Sequence, residues 1–342
     1  MITYVVVLVI IALVFDFTNG MNDAANSIAT VVATRVLSPR LAVLWAAFFN
    51  FLAAFFFETH VASTIGKGLL DPHVVNPDLV AATLLAAISW TAFCTHKGLP
   101  ISVSHALIGA MAGAALVKGG VAALTWSRLS TVALYIVLSP LIGLVCAAIL
   151  MVITMWICRK RSPRQVDGTF RVLQLSSAAV YSLSHGLNDA QKTMGIIMAL
   201  LLSVPSLHHL ATHDGTPEGS LRWWIILSCH AAIALGTYTG GWRVIRTLGH
   251  RVTRLTPFDG FAAEAGGGAT IIALSLVGIP VSTTHTITGA IFGVGMTRRL
   301  GTVRWGVGVE IMTAWVLTLP CAAAMAALMY PIVAWLARLT RG

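Results

Sequence analysis

The stretch Gly20-Met21-Asn22-Asp23-Ala24-Ala25-Asn26-Ser27 decides how this chain is read. It stands inside an apolar run. Residues 1–15 carry no charge, and residues 28–33 are apolar apart from Thr30. Asp16 and Asp23 are therefore acids in a segment of membrane-spanning character. A charge is costly there, so it marks a functional site by default. Glycine beside Asn and Asp also predicts a break in the helix, because Gly takes positive φ and Asn and Asp tolerate it.

Composition supports the membrane. Of 342 residues 57% are hydrophobic and 10% charged, and mean hydropathy is +0.85. A soluble chain carries about 25% charged residues. The expected class is an all-α polytopic membrane protein. The net charge of +10 would suggest nucleic acid in a soluble chain. Here the basic residues fall in short loops between apolar segments, which is a topology signal, so no nucleic acid is expected. The five cysteines form no C-x-x-C and lie mostly in apolar runs, as small buried hydrophobes do. The first apolar segment lacks a basic start and an A-x-A cleavage site, so it is expected to stay in place as a helix.

Outward from the opening stretch, the apolar segments are 2–34 (interrupted), 41–57, the pair 79–94 and 106–117, and 129–157. A basic cluster, Arg159 to Arg164, follows. The plan then repeats: 172–203 (interrupted), 223–242, the pair 258–277 and 286–296, and 305–337. Asn22-Asp23 recurs as Asn188-Asp189. Gly98-Leu99-Pro100-Ile101-Ser102-Val103-Ser104-His105 recurs as Gly278-Ile279-Pro280-Val281-Ser282-Thr283-Thr284-His285. Two motifs in the same order, 166 and 180 residues apart, mark an internal duplication. The expected halves are 1–157 and 172–342, joined by a basic cytoplasmic linker at 158–171.

Charge predicts the orientation. Each half crosses the membrane an odd number of times, so the second copy is inverted. With both termini outside, the cytoplasm receives Arg35, Arg40, the linker cluster with Arg171, the cluster at 243–254, and Arg298, Arg299 and Arg304. That is 14 of the 22 Lys and Arg, against six outside. The excess favours this orientation, although Arg338 and Arg341 oppose it. Each apolar pair could be two full spans or one re-entrant hairpin. As full spans, the two Gly-x-Pro-x-Ser turns would lie at opposite surfaces. As hairpins, their tips meet near the midplane, where a twice-used Ser/Thr/His cluster makes one site. Non-helical backbone at that depth needs a protein or aqueous cover. The expectation is two inverted-topology repeats with broken helices and two re-entrant helical hairpins, the plan of a secondary transporter.

The residue types at the motifs suit ions. Asn22, Asp23, Asn26, Asn188 and Asp189 offer oxygens that a hard cation such as Na⁺ takes, and an acid at this depth could instead carry a proton. Ser102, Ser104, Ser282, Thr283 and Thr284 offer hydroxyls beside helix N-termini, which attract anions. Capping is the commonest job of such hydroxyls and stays open as their role. Lys192 adds a point charge, on substrate or on Asp189 or Glu264. Glu264 is a candidate proton carrier or ion-pair partner. Carboxylates beside anion donors are consistent if the anion is protonated, since P–OH can donate to Asp, or if a cation bridges. That favours phosphate over fully ionised sulfate.

Gly-Met-Asn-Asp-Ala-Ala-Asn-Ser and His185-Gly-Leu-Asn-Asp-Ala-Gln-Lys-Thr193 resemble the duplicated signature of the PiT inorganic phosphate transporters. The two Gly-x-Pro-x-Ser stretches resemble that family's hairpin tips. The resemblance runs from about residue 15 to 320 and is of the bacterial low-affinity type. It implies phosphate uptake coupled to H⁺ or Na⁺, an inverted-repeat fold in the inner membrane and a homodimer, with no cofactor besides the coupling ion. It also implies that Asp23, Asp189, Gln191, Thr193 and the tip hydroxyls contact phosphate, while Asn22, Asn26, Asn188 and both aspartates hold coupling cations. One departure stands out: Asn26-Ser27 in the first copy faces Lys192-Thr193 in the second. An ammonium where a cation ligand would sit could replace a bound sodium, which points to proton coupling or to a metal–phosphate substrate. A sulfate symporter of the same fold, an anion channel and an intramembrane enzyme are the alternatives. No H-E-x-x-H or Ser-His-Asp order supports the enzyme.

Overall fold

The computed structural model describes residues 2–56, 60–214, 220–298, 301 and 303–341. Arg299 of the charge argument lies outside them. Thirteen α-helices occur among the described residues. They are α1 (Ile2–Ala33), α2 (Pro39–Leu52), α3 (His60–Gly68), α4 (Pro77–Lys97), α5 (Val103–Gly119), α6 (Trp126–Cys158), α7 (Pro163–Leu202), α8 (His208–Ala211), α9 (Trp223–Thr239), α10 (Trp242–Arg246), α11 (Pro257–Leu276), α12 (Thr283–Arg298) and α13 (Trp305–Arg341). By length and composition α1, α4, α6 and α13 can each cross a membrane. At 32 and 40 residues, α1 and α7 are about 48 and 60 Å long, well over a hydrocarbon core of roughly 30 Å.

Local chemistry sets the element ends. Asn76 caps α4 by accepting from the Leu79 amide at 2.9 Å, with Pro77 at the first helical position. A capping box of Ser162 and Gln165 starts α7, again on a proline. The expected linker therefore shrinks to residues 159–162. The stretch 163–171 is already the first turns of α7. The hairpins are α4–α5 and α11–α12. Their first legs stop at Gly98 and Gly278, with φ of 74° and 73°. This left-handed turn is one a side chain with a Cβ rarely takes, which is why the same Gly opens both tips.

One expectation fails. Neither long helix breaks at its Asn-Asp motif: α1 runs through residues 16–27 and α7 through 185–193. Gly20 is not among the glycines with positive φ. Its role is close packing, since a Cβ there would stand 2.1 Å from the Ile233 carbonyl oxygen of α9. A glycine costs a helix interior only about 1 kcal/mol, and burial on every side outweighs that.

The hairpins are exchanged between halves. The second leg α5 packs on α13, and α12 packs on α6. Both second legs carry Gly-x-x-x-Gly. Cβ atoms at Gly109 and Gly113 would stand 2.5 and 2.0 Å from the Leu319 and Ala323 oxygens. At Gly289 and Gly293 they would stand 2.1 and 2.2 Å from the Pro140 and Leu144 oxygens. Small residues at this spacing let helix backbones touch where no hydrophobic effect drives association.

The apolar interior divides into two large clusters. One joins the N-terminal part of α1 (Val5 to Phe15), α3, α4, α5 and the C-terminal part of α7. The other joins the later part of α1 (Ala25 to Ala29), α2, α6, α11, α12 and Tyr181 of α7. The polar middles of α1 and α7 lie at the seam between them.

Candidate functional site

At that seam the two tips and the two Asn-Asp motifs meet. Every site residue expected from sequence is buried. Asp23 Oδ1 accepts from Thr284 Oγ1 at 3.1 Å, and Asp23 Oδ2 from Thr283 Oγ1 at 3.3 Å. Thr283 also stands 3.1 Å from Asp189 Oδ2. A hydroxyl has one proton, so Thr283 can serve only one carboxylate at a time. Asn26 Nδ2 donates to Thr284 at 2.9 Å and to Thr283 at 3.4 Å. Lys192 Nζ has three acceptors: Asp189 Oδ1 at 2.5 Å, Ser104 Oγ at 2.5 Å and the Val281 carbonyl at 2.9 Å. One ammonium thus touches both tips. The rings of His105 and His285, one residue beyond each tip, meet edge to face at 4.6 Å.

Corresponding bonds recur at the repeat offsets. Asn22 donates to Thr95 at 2.7 Å, and Asn188 to Ser275 at 2.7 Å, in each case on the first leg of the hairpin in its own half. Asn26 reaches Thr284, and Lys192 reaches Ser104, in each case on the tip of the other half. Ser102 and Ser282 accept from the amides of His105 and His285 at 3.2 and 3.1 Å, so these two cap α5 and α12.

Three expected residues stand off the cluster. Gln191 accepts from the Val61 and Ala62 amides at 2.9 and 3.2 Å and so holds the first turn of α3. Thr193 faces Asp16. Glu264 lies in a second polar cluster, where Thr30, Gln174 and Ser177 donate to it at 2.5, 3.0 and 2.5 Å. Of the two partners expected for Lys192, Asp189 is taken and Glu264 is not.

Sequence reasoning missed three residues. His185 Nε2 stands 3.1 Å from Asp189 Oδ2 and 3.9 Å from Asp23 Oδ2, while Nδ1 meets Asn50 Oδ1 at 3.1 Å. A signal exists for it, because His185 lies four residues before Asp189 and so on the same helix face. Asn50, a lone amide in the last turn of the apolar α2, carries a similar one. Tyr181 Oη donates to the Thr283 carbonyl at 3.1 Å and pins the second tip, and nothing in its sequence context sets it apart.

The cluster can bind charge of either sign. Hydroxyls of Ser104, Thr283 and Thr284 line the starts of α5 and α12, where free N–H groups and the positive dipole end favour an anion. Ligand atoms of Asp23, His185 and Asp189 lie within 4.8 Å of one another, a spacing that suits a cation.

The phosphate transporter family model matches residues 19–167 and again 158–326. The chain is 52% identical over 323 residues to a "probable low-affinity inorganic phosphate transporter" of Rhizobium meliloti (strain 1021), covering 94% of each chain. It is 40% identical over 327 residues to a protein of the same description from Bacillus subtilis (strain 168), covering 95% of this chain and 96% of that one. A solved structure described as "The sodium-dependent phosphate transporter" superimposes with a TM-score of 0.83 at 27% identity, over 98% of this chain and 99% of the other. A family model that matches each half in turn, and relatives alike over nearly their whole length, agree with a buried site that both halves build: this multi-pass membrane protein belongs to the phosphate transporter family.

Proposed function

We propose that the protein imports inorganic phosphate as a secondary active symporter, by alternating access around the seam site. The observation that carries this is the meeting of both tips on Lys192 beside Asp23 and Asp189. Phosphate takes the hydroxyls of Ser104, Thr283 and Thr284 and the helix N-termini, and its own P–OH donates to a carboxylate that Thr283 leaves unserved. Fully ionised sulfate has no such proton, so phosphate is the substrate. Asn22, Asn26 and Asn188 each keep a buried side-chain oxygen without a hydrogen-bond partner, which supports their role as coupling-cation ligands with the two aspartates.

Coupling is to H⁺ or Na⁺. Lys192 supports H⁺, because its ammonium already supplies in the second half a positive charge that Asn26, at the corresponding position, does not supply in the first. The likeness to a sodium-dependent phosphate transporter supports Na⁺. The repeats are inverted in an inner membrane, with both termini outside and the tips entering as re-entrant hairpins. The corresponding bonds at the repeat offsets support two equivalent halves. The resemblance supports a homodimer. The Asp23, His185 and Asp189 cluster favours a second reading, in which a divalent metal–phosphate complex is the cargo.

The test is uptake of labelled phosphate by proteoliposomes under imposed pH and Na⁺ gradients. Accumulation above the outside concentration, blocked by arsenate and untouched by sulfate, is expected. Competition by sulfate as strong as by arsenate contradicts the substrate, and mere equilibration contradicts symport. Strong Na⁺ dependence with no effect of pH contradicts proton coupling. A requirement for Mg²⁺ or Ca²⁺ identifies the complex as cargo.

A further inference from the structure

A buried polar stripe runs along α1. Asp16, Asn19, Asp23, Asn26 and Thr30 recur at steps of three and four residues and so share one face. Asp23 and Asn26 belong to the tip cluster, and Thr30 to the Glu264 cluster. Asp16 belongs to neither. It lies two helical turns, about 10 Å, from Asp23 along the axis. It is fully buried, and neither carboxylate oxygen makes a hydrogen bond. Thr193 and Asn19 are its polar neighbours, and Thr193 Oγ1 and Asn19 Oδ1 are themselves without a partner. The titratable groups that face it are Asp189 and His185 on α7 and the Cys229 thiol on α9. No lysine or arginine is among them.

An ionised carboxylate is strongly disfavoured in such surroundings. A small cation or a proton would remove the charge. A cation wants a shell of oxygens, and transporters commonly supply part of it from unwound backbone. Here α1, α7 and α9 are unbroken helices, so their carbonyls are already engaged. A proton needs one carboxylate oxygen and one acceptor, and Thr193 Oγ1 and Asn19 Oδ1 are both free to accept.

We propose that Asp16 takes up and releases the coupling proton. This rests on the reading of the protein as a phosphate symporter. Protonation converts the carboxylate to the neutral acid and removes a negative charge that faces Asp189. An anion then binds more tightly at the tips. Release of phosphate on the far side restores the repulsion and expels the proton.

The test compares wild type, Asp16→Asn and Asp16→Glu in proteoliposomes, measuring phosphate–phosphate exchange and accumulation driven by a pH gradient. In Asp16→Asn, exchange is expected to persist within about threefold of wild type and to lose its dependence on pH, while accumulation falls at least tenfold. In Asp16→Glu, accumulation is expected to persist with its pH dependence displaced. Full accumulation by Asp16→Asn overturns the proposal. So does equal loss of exchange and accumulation in both variants, or an unchanged pH dependence in Asp16→Glu. Accumulation by wild type that follows a Na⁺ gradient and ignores pH overturns it while leaving phosphate symport intact. Absence of both activities in wild type removes the symport reading, and the proposal with it.

Discussion

At the scale of single residues, the contrast between Asn26 and Lys192 organises the site. Both sit three residues after an aspartate and both reach the opposite tip. Only Lys192 brings a charge, and it neutralises Asp189 within a buried pair. Removing one partner of such a pair leaves an uncompensated buried charge and costs about 3–5 kcal/mol. Lys192→Met is therefore expected to lower the melting temperature of the purified protein sharply. Lys192→Met combined with Asp189→Asn should recover much of the loss, because no lone charge remains. Equal melting of the single and double variants in a thermal unfolding assay would show that the pair is not coupled. The sequence makes the Asn26/Lys192 contrast visible, and the Asp189 pairing can be read from i, i+3 spacing. It does not separate the serines that cap, Ser102 and Ser282, from Ser104, which faces the site. Both kinds occur two residues apart, and only the entry angle of the helix tells them apart.

At the scale of elements, the Gly-x-x-x-Gly legs hold the exchanged hairpins. A side chain at Gly113 meets the backbone of α13, which has no flexible end to move aside. Gly113→Leu is expected to abolish recovery of folded protein. Gly168→Ala, at an exposed position in α7 with nothing within 4 Å of the new Cβ, should stabilise by about 0.5–1 kcal/mol. Size-exclusion profiles in detergent and thermal unfolding check both; a folded Gly113→Leu would mean that the leg can shift. The two halves differ beyond the tips. The Glu264 cluster comprises Thr30, Gln174, Ser177 and Glu264, and the same repeat offsets lead to Ile196, Leu8, Ile11 and Leu84, which join the apolar cluster of the first hairpin. The polar cluster beside the second hairpin therefore has an apolar counterpart beside the first. Hairpins were legible because Gly-x-Pro-x-Ser is a local signal of turn and cap. Helix continuity through Gly20 was not, because tertiary burial decided it. Nor was the exchange of hairpin legs, a long-range choice of partner that repeated motifs alone leave open.

At the scale of the whole molecule, two apolar clusters meet along a polar seam, and α1, α6, α7 and α13 each contribute buried residues to both. The orientation is testable from the loops at the two ends of α6. With native cysteines replaced, Gly120→Cys should react with a membrane-impermeant maleimide added outside intact cells, and Arg161→Cys only after permeabilisation. The reverse pattern would place the termini inside. A single phosphate site built by the tips of both halves is the feature on which transport turns. Equilibrium binding of labelled phosphate to purified protein tests it most directly, with Ser104→Ala from one tip and Thr284→Val from the other. A hydrogen bond to a charged group contributes about 1.5–3 kcal/mol, so each variant is expected to weaken binding at least tenfold while staying folded. Binding that depends on one tip alone, or on neither, would contradict a shared site.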